Sequence, residues 1–220
     1  MTLERERLVD QIEAEVRMTA PELGFDRLDP LVADALRAVQ RHLFVPRAQR
    51  ALAYVNHPLP IGGGQTISQP YIVAIMSQLL DVGPGDRVFE LGTGSGYQAA
   101  VLAAMGVEVY SIEIVPELAA QALTNLEAAG FPQVQVRAGD GWLGWPEAAP
   151  FDGIILTAAA PEIPRRLIEQ LARGGRLVMP LGGVNEIQEL VLFEKDADGT
   201  LKRRHLLPVR FVPVTGPTSD

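Results

Sequence analysis

The sequence predicts an α/β fold built on a doubly wound, mostly parallel sheet. Three observations point there. Beyond residue 81, short apolar runs alternate with stretches of helical periodicity. Gly92, Gly94 and Gly96 lie between an apolar run (residues 88–91) and a helix-forming run that starts at Tyr97. Strand, glycine turn, helix is the first half of a nucleotide-binding βαβ unit. Near the end, residues 188–193 and 206–212 alternate apolar and polar about a turn rich in Asp and Gly, so they predict an antiparallel C-terminal pair.

An N-terminal helical extension precedes the sheet. Leu8, Ile12 and Val16 recur at helical spacing, which predicts a helix over residues 3–18. Asp29-Pro30 is an N-cap followed by proline at the first helical position, and it opens a second helix to about residue 40. His42 follows and reads as a cap or a packed side chain. Residues 57–70 hold Pro58, Pro60, Pro70 and the run Gly62-Gly63-Gly64, so an irregular loop is expected, with a helix entered through Pro70 over 71–80. After a turn at 81–86 come strands at 87–91, 107–112, 133–137, 152–156 and 176–179. Helices are expected at 97–105, at 116–129 with Gly130 as C-cap, and at 164–171. The division is residues 1–80 as a helical extension with a substrate loop, and 81–220 as the cofactor-binding core.

Composition narrows the function. The 220 residues carry a net charge of −8, so the chain lacks the overall basicity of a protein that grips phosphates. The patch Lys202-Arg203-Arg204-His205 is accounted for by a solvated hairpin turn. With no cysteine there is no disulfide or thiolate metal site, and a reducing cytoplasm is expected. The charged N-terminus lacks the apolar stretch of a signal peptide, and no apolar run is long enough to span a membrane. The three histidines, His42, His57 and His205, form no ligand motif, so no metal is expected. A monomer is compatible with this reading, and nothing in the sequence decides oligomeric state.

In a sheet of this kind the ligand sits at the carboxyl ends of the strands. A dinucleotide loop reads Gly-x-Gly-x-x-Gly, and its third glycine would fall at Tyr97. The acid Glu90, followed by Gly92, Gly94 and Gly96, instead resembles the glycine loop of class I S-adenosylmethionine-dependent methyltransferases. Glu113 ends the second strand, where an acid can accept both ribose hydroxyls, although NAD enzymes place one similarly. Asp140 ends the third, where it could accept from an adenine amino group or simply form an Asx turn between Gly139 and Gly141. Ser68 has two readings from the residues alone: a cap near the helix start, or a functional group in a structured loop.

Further stretches carry a narrower resemblance. They are Gly64-Gln-Thr-Ile-Ser-Gln-Pro70, Glu90-Leu-Gly-Thr-Gly-Ser-Gly-Tyr97, Gly139-Asp-Gly-Trp142, Phe151-Asp152 through Thr157-Ala-Ala-Ala-Pro161, Gly174-Gly-Arg-Leu177 and Arg210-Phe-Val-Pro213. In collinear order over roughly residues 40–215, they resemble the bacterial protein-L-isoaspartate O-methyltransferase family. The resemblance implies protein repair. A methyl group passes from S-adenosylmethionine to the free α-carboxylate of an L-isoaspartyl residue in a damaged protein, with D-aspartyl residues as a further candidate. S-adenosylhomocysteine is the co-product, and the ester closes to a succinimide that partly reopens as aspartate. It further implies that Ser68 is the active-site residue and that Gln65, Thr66, Ile67 and Ser68 line cofactor and substrate. Gly92, Gly94, Ser95, Glu113, Ile114, Asp140 and Gly141 would hold the cofactor, with Thr215 closing over it. Isoaspartyl peptides and proteins are then the partners, and neither nucleic acid nor a membrane is expected.

Three other readings share these features. A small-molecule or RNA methyltransferase would use the same fold. A non-catalytic cofactor-binding scaffold would not need Ser68, which is present. An NAD-dependent oxidoreductase is disfavoured by Tyr97.

Overall fold

The computed structural model describes residues 2–183 and 186–214. Seven α-helices are assigned among them: α1 Thr2–Met18, α2 Ala20–Leu23, α3 Pro30–Ala38, α4 Pro70–Leu79, α5 Tyr97–Ala104, α6 Pro116–Ala129 and α7 Arg165–Gln170. Nine strands accompany them: β1 Leu59–Gly62, β2 Gln65–Ile67, β3 Arg87–Leu91, β4 Glu108–Glu113, β5 Gln135–Ala138, β6 Phe151–Leu156, β7 Leu171–Leu181, β8 Gln188–Lys195 and β9 Leu201–Val209.

The main sheet has the order β5-β4-β3-β6-β7-β8-β9. β5, β4, β3, β6 and β7 are parallel; β8 and β9 are antiparallel additions at one edge. The chain winds outward from β3 in both directions. The switch point therefore lies between β3 and β6, where the loops after two adjacent strands diverge and leave a crevice.

Side-chain alternation along the strands builds two cores. Val88, Ile155 and Val178 join the cluster under the N-terminal helices and α5; Phe89, Ile154 and Leu177 join the one on the opposite face, with Trp145, Phe151 and Leu167. With both faces covered, strands read as near-continuous apolar runs, which is why they were legible. The first cluster also takes Leu8, Ile12 and Val16 from α1 and Val32 and Leu36 from α3, so the extension shares one core with the sheet. Asp29 caps α3 as expected, its side chain accepting from the Leu31 amide. Gly130 closes α6 in the left-handed conformation, φ 88°. His42 packs on Tyr54, with Nδ1 2.7 Å from the phenol oxygen.

Three expectations are corrected. Residues 57–70 are not wholly irregular, because β1 and β2 form an antiparallel hairpin pairing Leu59 with Ile67 and Pro60 with Thr66. Gly62, Gly63 and Gly64 all have positive φ and make the reversal that other residues resist. Leu59 and Ile67 point inward, while Pro60 sits exposed on a short strand with no central ladder to break. The basic run at 202–205 does not form the turn. It lies on β9, the sheet's edge strand, where Lys202 pairs with Asp196, His205 with Glu189, and Arg204 donates to the Leu23 carbonyl. Charge on an edge strand guards against pairing with other chains. β7 is also longer than the expected 176–179, running back to Leu171.

Candidate active site

The crevice at the switch point is a cleft of about 750 Å³, its open mouth included. β3 brings its glycine loop, β4 brings Glu113 and Ile114, β5 brings Asp140 and Gly141, β6 brings Thr157 and Ala158, and the β2–α4 segment brings Gln65, Thr66, Ile67 and Ser68. Residues far apart in the chain thus meet because parallel strands all end on the same side of the sheet. Gly92, Gly94 and Ser95 line the same wall. Thr215 lies outside the described residues.

The glycine loop is held from several sides. Gly92 and Thr93 donate backbone N–H groups to the Ile112 carbonyl at 2.8 and 3.3 Å. Glu113, only 5% exposed, accepts from the Gly94 N–H through Oε2 at 2.7 Å and from the Val115 N–H through Oε1 at 3.0 Å. The Thr157 hydroxyl donates to the Gly92 carbonyl at 2.5 Å. Gly92 has φ 95°, and a Cβ there would stand 2.4 Å from Thr157 Oγ1, so both backbone and space require glycine. From α6, Asn125 Nδ2 donates to the Ser95 carbonyl at 2.9 Å.

Beneath the loop Glu90 is fully buried. Burial pushes its carboxyl up to about 8, against the opposing effect of the Ser111 hydroxyl that donates to Oε2, with the nearby Glu113 charge adding to the rise. At neutral pH it is mostly a neutral acid. Ser111 in turn meets the Thr93 hydroxyl at 2.5 Å, so a buried chain runs from Glu90 to a residue of the cleft wall.

The lining selects a cofactor type. Among the described residues no Lys, Arg or His lines this cleft. A nucleoside bearing a sulfonium needs no cation there. Glu113 and Asp140 place carboxylate oxygens in this cleft that could accept from ribose hydroxyls and an amino group, and Leu91, Ile112 and Ile114 offer apolar surface for a flat base. That donor and acceptor set fits S-adenosylmethionine. Asp140 also forms the Asx turn considered above, its Oδ1 accepting from the Trp142 amide at 3.0 Å.

Ser68 is half-buried and does not cap α4. The N-cap is Gln69, whose side chain makes no capping bond. Ser68 instead lines two clefts at once. An outer one, about 1400 Å³ with its mouth, shares Thr66, Ser68, Thr157 and Val212 with the inner one, and its remaining wall includes Glu15, Tyr71, Leu207 and Phe211. Val212, on both walls, and Val214, on the inner one, are held because Ala159 N–H donates to the Val212 carbonyl and Val214 N–H to the Ala159 carbonyl, both at 2.8 Å.

Sequence reasoning passed over several wall residues. Thr157 and Val212–Pro213 stood inside quoted motifs with no role attached. Tyr97 served only to exclude a dinucleotide, yet it lines the cleft together with Thr93 and Gln98. Gln98 is tied to α4 through Nε2 to Ser77 Oγ at 2.8 Å. No sequence signal marked Gln98, since its partner comes from another helix.

Fold and site together define a class I S-adenosylmethionine-dependent methyltransferase. The comparisons narrow the class. The family model for protein-L-isoaspartate(D-aspartate) O-methyltransferase matches residues 23–219. A protein-L-isoaspartate O-methyltransferase 2 of Syntrophobacter fumaroxidans is 54% identical over 212 residues, covering 96% of this chain and 86% of that one. One from Polaromonas sp. is 53% identical over 209 residues, covering 95% and 99%. A solved protein-L-isoaspartate O-methyltransferase superposes with TM-score 0.84 at 28% identity, covering 96% of this chain and 66% of that longer one. A Plasmodium falciparum structure of the same name, in complex with S-adenosyl-L-homocysteine, shares the fold with TM-score 0.74 at 23% identity, covering 91% and 97%. The chain belongs to the protein-L-isoaspartate(D-aspartate) O-methyltransferase family. The family and enzyme class expected from the motifs are thereby borne out. No helix among the described residues is long and apolar enough to cross a membrane.

Proposed function

We propose that this chain transfers a methyl group to the free α-carboxylate of L-isoaspartyl residues in damaged proteins, with D-aspartyl residues as a second substrate class. One observation carries the reading: Ser68 stands on the wall common to the inner and outer clefts. The inner cleft is the cofactor's, and the outer one admits a segment of polypeptide. Residues 1–80 supply the substrate loop and 81–220 the cofactor core.

The cofactor, when bound, supplies an electrophilic methyl group on a sulfonium cation. Gly94, Glu113, Ile114, Asp140 and Gly141 would hold its nucleoside part, and Gln65 to Ser68 and Ser95 would line the rest. The substrate carboxylate is ionised at neutral pH, so no general base is required. The Ser68 hydroxyl donates a hydrogen bond to one carboxylate oxygen and turns the other toward the methyl group. A single neutral donor orients the nucleophile without neutralising it, as an arginine fork would. The walls exclude water, and a reaction that joins opposite charges gains from that exclusion and from in-line orientation. The following residue's backbone nitrogen then attacks the ester carbonyl and loses its proton as methanol departs, closing a succinimide without further help from these residues. We place the enzyme in the cytoplasm, where a cysteine-free protein meets aged polypeptides.

Labelled methyl transfer to an isoaspartyl peptide, beside an otherwise identical aspartyl peptide, tests the proposal. Transfer confined to the isoaspartyl peptide supports it; equal transfer, or none to either, rejects it.

A further inference from the structure

Arg41 opens the short 3₁₀ turn Arg41–Phe44 and is 0% exposed. Its guanidinium donates through Nη1 to the Ala53 carbonyl at 2.6 Å, and through Nη2 to the carbonyls of His57 at 3.1 Å and Ser68 at 3.0 Å. The group lies 5.5 Å from the centre of the Tyr97 ring, the first residue of α5 and part of the inner cleft. Phe44 also packs against that ring, edge-on at 5.7 Å. Every hydrogen-bond acceptor is a neutral carbonyl. No ion pair among the described residues includes Arg41, and its Nε is buried without a partner.

A buried cation without a counter-ion is costly, so its geometry requires a reason. The carbonyls supply one. Ala53 and His57 precede the β1–β2 hairpin and Ser68 follows it directly, so the three carbonyls bracket it. A planar fork can hold three such acceptors and stack on a ring; an ammonium group has neither the span nor the plane.

We propose that Arg41 is the positioning residue of the Ser68 loop, fixing the Ser68 peptide against Tyr97 so that the serine hydroxyl meets the substrate carboxylate at the junction of the two clefts. This rests on the role given to Ser68 above. Arg41 touches neither substrate nor cofactor; it acts through the loop. Its loss therefore affects turnover more than cofactor binding, because the cofactor's nucleoside end is held by Glu113 and Asp140 on other strands.

The test uses Arg41→Lys, Arg41→Met, Ser68→Ala and the double variant Arg41→Lys/Ser68→Ala. Melting temperature, S-adenosylhomocysteine affinity, kcat and KM for an isoaspartyl peptide, and hydrogen exchange are measured on each. In the Arg41 variants we expect faster exchange over residues 53–69, with α5 and the sheet still protected. S-adenosylhomocysteine affinity should stay within about threefold, and kcat should fall roughly 100-fold, the scale of an ångström misplacement. The double variant should lose little beyond Ser68→Ala alone, since both changes remove one interaction. Near-normal kcat in a folded Arg41 variant, affinity falling in parallel with kcat, additive losses in the double variant, or failure of both Arg41 variants to fold would each overturn the proposal. Wild-type enzyme that does not distinguish isoaspartyl from aspartyl peptide rejects the function proposed above instead, and exchange and affinity then decide the role of Arg41 without turnover.

Discussion

Glu113, the last residue of β4, accepts a hydrogen bond from the backbone N–H of Gly94 in the loop after β3, at 2.7 Å. One carboxylate thereby shapes the glycine loop and faces the cleft that loop encloses. A second bond, from the Val115 N–H, holds its other oxygen.

Replacing that carboxylate should weaken cofactor binding before it weakens the fold. A charge-assisted hydrogen bond contributes about 1.5–3 kcal/mol. We expect Glu113→Ala to lose S-adenosylmethionine affinity on that scale, read by calorimetry. Glu113→Gln, with one acceptor oxygen left, should lose less. Unchanged affinity in the alanine variant would remove Glu113 from the cofactor site.

Ser68→Ala separates a cap from a substrate contact. Loss of a capping residue lowers stability by about 0.5–2 kcal/mol and leaves the folded enzyme's rate intact. The cap position of α4 belongs to Gln69, so we expect a melting temperature close to wild type. We expect kcat/KM for an isoaspartyl peptide to fall roughly 100-fold, with cofactor affinity spared. A less stable protein with normal turnover would return Ser68 to a structural role.

Glu90 gives the fold a pH dependence. Its folded-state carboxyl titrates near 8, above the ordinary 4.5, chiefly because it is buried. The folded protein therefore binds more protons than the unfolded one between those values. The resulting sign is that stability from this group is full below about 4.5 and declines as pH rises toward 8. Glu90→Gln keeps the shape of the neutral acid and cannot ionise. Denaturant midpoints across pH 5 to 9 should fall more steeply for wild type than for Glu90→Gln. Parallel curves would show that Glu90 is ionised in the fold at neutral pH.

Gly92 should accept no side chain. Alanine there would hold a positive φ and press a Cβ onto the Thr157 hydroxyl. We expect Gly92→Ala to lose cofactor binding measurably in calorimetry, and Thr157→Ala to restore part of it in the double variant by clearing the space. No rescue would place the defect in the backbone alone.

Methyl transfer should survive exhaustive chelation. The nucleophile is ionised without help. The three histidines are scattered, and the described residues hold no group of three or more metal-ligating side chains. Activity lost with chelator and restored by a divalent ion would contradict this.

Much of this protein was determined by the sequence alone. Apolar runs define β3, β4, β6 and β7 because central parallel strands are buried on both faces, while β5, an edge strand, is mostly exposed. Caps such as Asp29 and Gly130 are local chemistry, settled within a few residues. The positions of Glu113 and Asp140 followed from one rule, that parallel strands deliver their ends to one side. The tertiary structure decided what local rules cannot reach. The hairpin at 59–67 forms because three consecutive glycines take left-handed conformations, while composition alone had indicated an irregular loop. The basic run at 202–205 became edge strand because β8 offered a partner. Glu90 reads in sequence as one acid in a motif; its neutral state is set by its depth in the sheet and by the nearby Glu113, against the Ser111 hydrogen bond. Arg41 gave no signal. Its acceptors are backbone carbonyls, which every sequence possesses, and only folding brings those of Ala53, His57 and Ser68 to one guanidinium.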